Sequence, residues 1–130
     1  MRCPDCDHPL VIVEYDRVEI DYCTRCRGCW LDEGELGLIL TGDLYLPEQV
    51  DLVKAQKGRR CCPHCRARLR TGPLPESNVE VDACPFHHGM WLDYGELRKI
   101  IEYHAEAGVI RPLSRYLGDL FECDVPTTLT

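Results

Sequence analysis

The sequence predicts a small, metal-stabilised α+β fold: two tandem ribbons, each a knuckle–β-hairpin–knuckle unit followed by a capped helix. Three observations carry that prediction. The 130-residue chain writes WLDEGEL at 30–36 and WLDYGEL at 91–97, an internal duplication with a period of about 60 residues. Most of its ten cysteines fall as CxxC pairs that superpose when one copy is slid over the other. Each half is also too short to bury a self-sufficient core, and domains of roughly 40–60 residues need a staple.

The knuckles come first. One half opens on CPDC (3–6) and, after sixteen residues, closes on CTRC (23–26); the other opens on CPHC (62–65) and, after eighteen, closes on CPFH (84–87). Both spacings lie in the range of zinc ribbons. Two thiolates two residues apart converge on one ion while backbone amides offset their charge, and two knuckles close a tetrahedron. The candidate ligands are Cys3, Cys6, Cys23 and Cys26 for one site, and Cys62, Cys65, Cys84 and His87 for the other. His87 is preferred to His88 because it aligns with Cys26 and keeps the two-residue gap. Two zinc ions are expected. A rubredoxin-like iron site would suit four cysteines, but the knuckles lack a glycine after each pair and the duplicate uses histidine. Protein fills every coordination position, so the sites are expected to be structural, with no catalytic residue.

Between the knuckles lie the hairpins. LVIVEY and RVEIDY are β-rich, with Val18, Ile20 and Tyr22 alternating with charged residues and Asp16-Arg17 as the turn. RARLRTG and NVEVDAC repeat the arrangement around a longer Pro/Gly loop. The repeated heptapeptide then reads as a helix start. With Asp32 and Asp93 at N-cap, Glu35 and Glu96 complete a capping box and Leu31/Leu36 and Leu92/Leu97 a hydrophobic staple. Two acids flanking a glycine therefore cap helices rather than form a catalytic pair, since no nucleophile, open metal or phosphate loop accompanies them. Trp30 and Trp91 are expected to cover the metal sites. Gly34 and Gly95, at N2 in this reading, are expected to permit close backbone packing. Helices follow at about 32–41 and 93–107, the second with Leu97, Ile100 and Ile101 on one face. Another helix is expected over about 47–57, with Pro47 in its first turn and its end near Gly58.

The resulting division is a first ribbon plus helix over 1–45, a helical, basic linker over 46–60, a second ribbon plus helix over 61–110, and a short helix and tail over 111–130. Of the leftover cysteines, Cys29 aligns with Met90 and reads as a small buried hydrophobe. Cys61 reads as an exposed thiol, and Cys123 has no counterpart. His8, His64 and His104 read as solvated or helix-surface imidazoles. The formal net charge is −7. It falls to about −10 once seven thiolates and two dications are counted, which makes a poor generic nucleic-acid binder. The average hides a segregation, because residues 54–70 hold seven Lys/Arg and no acid. The chain opens MRCPDC without an apolar leader and has no membrane-length apolar run, so a reducing cytoplasm and no membrane partner are expected.

The pattern CPxC…(I/V)DxCxxC/H-x-G-x-WLDxGEL, over residues 3–41 and 62–101, resembles the prokaryotic zinc-ribbon proteins of the transcription factor IIB zinc-finger type. That resemblance implies zinc held by the eight ligands named above. It departs in lacking a proline in CTRC and in carrying His at 87, and likeness of fold is a weak guide to function. The leading expectation is a non-enzymatic binding module that displays Leu/Ile-rich helix faces to a protein partner or to a second copy in a homo-dimer. An alternative is a nucleic-acid-binding or transcription-associated factor, with Lys57, Arg59, Arg60, Arg66, Arg68 and Arg70 as possible contacts. A third is an oxidation switch that releases zinc from its thiolates. Chelation is expected to unfold both ribbons, and Cys23→Ser to cripple the first.

Overall fold

The computed structural model describes residues 1–15, 18–41, 55–75 and 77–106. In the first module β1 (Val11–Tyr15) and β2 (Val18–Tyr22) form the expected antiparallel hairpin, with Val13 opposite Ile20 and Val11 opposite Tyr22. Val18 and Ile20 are buried while Glu19 between them is exposed, the period-two pattern of a half-buried strand. In the second module β5 (Arg68–Pro73) and β6 (Glu80–Ala83) repeat the hairpin, with Gly72 opposite Val81.

Each hairpin gains a third strand that the sequence did not announce: β3 (Cys29–Asp32) and β7 (Gly89–Leu92). These two pair antiparallel with each other, Cys29 opposite Leu92, Trp30 opposite Trp91, Leu31 opposite Met90 and Asp32 opposite Gly89. Because each Trp faces its own counterpart, a pseudo-twofold axis passes through the Trp30–Trp91 pair. The tandem modules are thus one seven-stranded antiparallel sheet, ordered β1-β2-β3-β7-β6-β5-β4.

The outer strand β4 (Gln56–Cys61) corrects an expectation. Gln56 and Lys57, assigned to a helix end, and the rest of 56–60, assigned to a linker, are an edge strand paired to β5. Tertiary pairing overrides the local helix signals here. Ala55 is not helical either; residues 47–54 of that expected helix, the Asp16-Arg17 turn, the 111–130 segment and Cys123 lie outside the described residues.

Helices α1 (Glu35–Thr41) and α2 (Glu96–Glu106) follow β3 and β7. Leu36, Ile39 and Leu40 of α1 join Leu97, Ile100 and Ile101 of α2 in one buried cluster with Val18, Ile20, Leu31, Val81 and Leu92. At about 1.5–3 kcal/mol for each such side chain removed from water, this common core is the main apolar contribution to stability. His104 also belongs inside: it is 8 % exposed, with Tyr103 edge-on at 5.2 Å, rather than on the helix surface.

The helix starts also differ in detail from the expected cap. Leu38 N–H donates to Gly34 O and Lys99 N–H to Gly95 O, both at 3.1 Å, so the glycines occupy the N-cap position. Their φ values of 92° and 89° explain the residue type, since a side chain rarely adopts that backbone. The back-reaching half of the capping box survives. Asp32 N–H donates to Glu35 Oε1 at 2.8 Å, and Asp93 N–H to Glu96 Oε1 at 2.7 Å. The Asp carboxylates instead accept the indole N–H of Trp30 at 2.9 Å and of Trp91 at 3.2 Å. Burial, with the neighbouring Asp32 and Asp21, pushes Glu35 up to about 7; burial and Asp93 do the same to Glu96. The repeated acids therefore tie strand end, helix start and indole together.

Candidate metal centres

Four knuckles supply the ligands, and they share one closing bond. The amide of the first ligand donates to the carbonyl five residues on: Cys3 to His8 at 2.8 Å, Cys23 to Gly28 at 3.0 Å, Cys62 to Ala67 at 2.7 Å and Cys84 to Gly89 at 3.0 Å. Inside this loop, amides aim at sulfur. Asp5 N–H lies 3.3 Å from Cys3 Sγ, Cys26 N–H 3.4 Å from Cys23 Sγ, His64 N–H 3.3 Å from Cys62 Sγ and Phe86 N–H 3.3 Å from Cys84 Sγ. These donors are what stabilise thiolate charge in a partly buried setting.

Cys3, Cys6, Cys23 and Cys26 converge, with Sγ···Sγ separations of 3.6 Å for Cys3–Cys26 and 3.4 Å for Cys6–Cys23. A tetrahedron with Zn–S near 2.3 Å has edges of about 3.8 Å, so the four sulfurs stand almost at zinc-ligand spacing. Burial pushes Cys3 strongly up, Cys62 up to about 12 and Cys26 up to about 11. Burial opposes ionisation of Cys23 as well, but the amides of Cys26 and Arg25 outweigh it and lower that thiol to about 7. Crowded sulfurs of which Cys3 and Cys26 are held from ionising by burial fit a site whose charge a dication neutralises.

The second tetrad is Cys62, Cys65, Cys84 and His88. Here the structure replaces His87, the residue favoured by alignment. Cys65 Sγ lies 3.6 Å from Cys84 Sγ, and His88 Nδ1 lies 3.4 Å from the same sulfur. In three knuckles the left-handed residue follows the second ligand: Asp7, Arg27 and Arg66, with φ of 60°, 66° and 67°, each donating its amide to the first ligand's carbonyl. In the fourth, the left-handed residue is His87 itself (φ 65°), and its amide closes a turn one residue tighter onto Cys84 O at 3.1 Å. The chain turns early, His87 is left exposed outside the tetrad, and the imidazole of the next residue reaches the site. Spacing alone hides this shift, because Gly28 and Gly89 still align. His88→Ala is expected to abolish zinc at the second site while His87→Ala keeps two zinc ions per chain, as native mass spectrometry would count. Retention of two ions by His88→Ala would refute the assignment.

Trp30 and Trp91, both fully buried, pack with Leu69 among Cys3, Cys23, Cys62 and Cys84, so they do cover the metal sites. The crossing between modules is mutual. A methyl at Gly28 would run into the Trp91 ring, and one at Gly89 would meet Trp30 Cζ2 at 2.9 Å. His64, at the tip of the third knuckle, is exposed as expected but also engaged. Its Nε2 lies 2.9 Å from Asp32 Oδ1, and its ring lies 5.9 Å from that of Trp30.

Outside the tetrads, Cys29 is buried in the common core, where burial pushes its thiol strongly up; it acts as the small hydrophobe expected. Cys61 is exposed. Arg60, grouped with possible nucleic-acid contacts, is occupied elsewhere. It reaches Asp82 at 2.8 Å, Asp93 at 3.0 Å and, from the first module's knuckle, Asp5 at 3.0 Å. Three carboxylates from both modules hold this guanidinium, so it is a structural clamp. Lys57, Arg59, Arg66 and Arg68 are exposed and Arg70 half-buried.

A family model described as transcription factor zinc-finger matches residues 2–41 and again 61–103, so the chain is similar to that family over both modules. No curated protein and no solved structure gave a match. The matched stretches contain both tetrads, and two zinc ions fit them.

Proposed function

We propose, from the premise that this chain belongs to the transcription factor zinc-finger family, that it is a non-enzymatic binding module whose two zinc ions are purely structural. The observation that carries this reading is the ligand set. Each tetrad brings four protein atoms within 4.8 Å of one another, which completes a tetrahedral shell and leaves no position for water or substrate. The Leu/Ile faces of α1 and α2, expected to meet a partner, are spent on the common core. Burial of those faces within one chain favours a partner that docks elsewhere than on the helices.

Cobalt substitution tests the closed shell. Co(II) in both sites is expected to give tetrahedral d–d bands that azide and cyanide leave unchanged. Bands that shift on adding either anion would reveal an open position and sink the non-enzymatic reading.

A further inference from the structure

We infer that the β4–β5 margin of the sheet binds the sugar–phosphate backbone of a nucleic acid without regard to base sequence, through Lys57, Arg59, Arg68 and Arg70 with Arg66 at its flank. Lys57 pairs with Arg70 across the two strands, and Cys61 with Arg68, so Lys57, Arg68 and Arg70 share one face. Arg59 is exposed on the edge strand, at the register shift between Lys57 and Cys61. Like charges directly opposite one another destabilise a sheet. Among the described residues none of these five cations has an ion pair, whereas Arg60 beside them has three carboxylate partners.

Protection of an exposed edge would account for cations on β4. It does not account for Arg68 and Arg70, which lie on β5, an interior strand flanked by β4 and β6. Residues alternate by about 7 Å along a strand and strands stand about 4.8 Å apart, a ladder that suits the regularly spaced charges of an extended phosphate chain. The chemistry also separates partner classes. A protein interface is anchored by aromatic or apolar side chains, and a membrane surface is gripped by apolar wedges. Among the described residues of β4–β5 the exposed apolar groups are Cys61 and Pro73, neither of them aromatic or large. Without an aromatic platform, bases are not stacked and the backbone alone is read. Acidic side chains bias the orientation: Glu14, Glu19, Asp21 and Asp32 belong to β1, β2 and β3, while Glu80 and Asp82 of β6 border the cations beside Arg59, so a polyanion approaches from the β4 edge.

The inference rests on the binding-module reading but fails separately, since cobalt spectra probe the metal shells and the following assay probes this face. The zinc-loaded full chain is mixed with fluorescein-labelled single-stranded DNA of two unrelated sequences, and anisotropy is followed through a rising salt series. Both sequences should bind within a few-fold of each other. The logarithmic salt slope should be about −3, for four to five phosphates neutralised. Arg68→Ala/Arg70→Ala should weaken binding about tenfold or more and flatten the slope by about 1.4, while Arg25→Ala, on a first-module knuckle, leaves both within twofold. Circular dichroism and zinc content confirm that each variant is folded. No binding at the lowest salt, binding indifferent to the β5 pair, or tighter capture of phosphatidylserine vesicles or polyglutamate would each overturn the proposal.

Discussion

Stripping the zinc, or replacing Cys23 by Ser, is expected to unfold both modules in a single transition. A structural zinc site supplies on the order of 10 kcal/mol or more, comparable to the whole net stability of an ordinary domain, about 5–15 kcal/mol. If the modules were independent, Cys23→Ser would cost only the first. They share a sheet through β3 and β7 and a core that mixes Leu36, Ile39 and Leu40 with Leu97, Ile100 and Ile101. Loss of the first site frees the knuckle carrying Asp5, which releases Arg60 from one of its three carboxylates. It also uncovers Trp91, whose ring lies against Gly28. Site-resolved cysteine alkylation, run with circular dichroism, gives the measurement. In Cys23→Ser, Cys62, Cys65 and Cys84 should become as reactive as Cys3, Cys6 and Cys26. A variant that protects the second tetrad and keeps half of its ordered signal would show that the modules fold apart.

The metal sites were legible because knuckle geometry is local. A two-residue gap places two thiolates on one ion in any context, so seven of eight ligands follow from spacing. The eighth does not, because choosing between His87 and His88 depends on which residue adopts φ near 65°, and composition does not encode that. The strand content of the hairpins was legible from alternation at Val18 and Ile20. Strands β3 and β7 were not: four residues between a ligand and a helix start carry too little periodicity, and their partner lies in the other copy. The charge run was half legible. As sequence, RR at 59–60 reads as two equivalent cations, yet one is clamped by Asp5, Asp82 and Asp93 and the other is exposed. Only the fold, by bringing a first-module knuckle beside β4, separates them.

The glycine of the repeated C/H-x-G-x-W string yields the second large effect. Gly28 and Gly89 sit two residues before Trp30 and Trp91, and each gives room to the tryptophan of the other module. The motif is therefore complementary to its own copy. Gly89→Ala is expected to be the more damaging change. The added Cβ would collide with Leu31 O, a backbone atom of β3 that cannot swing aside, and would sit 3.0 Å from Asp32 Cα. The φ of 153° at this position is also one that alanine rarely adopts. At Gly28 the nearest obstacle is the Trp91 side chain, with Leu92 O at 2.9 Å, so some repacking is open to it. A destabilisation of about 3 kcal/mol or more is expected for Gly89→Ala and about 2 kcal/mol for Gly28→Ala, the range of overpacking with backbone strain. Because the clash falls on the β3–β7 pairing, Gly89→Ala should also split the single unfolding transition into two, with the tetrads released at different chelator concentrations. Thermal unfolding monitored by tryptophan fluorescence and by zinc release reads both effects. A Gly89→Ala protein that melts with wild-type midpoint and cooperativity would mean that the two halves are not joined through this pair of strands.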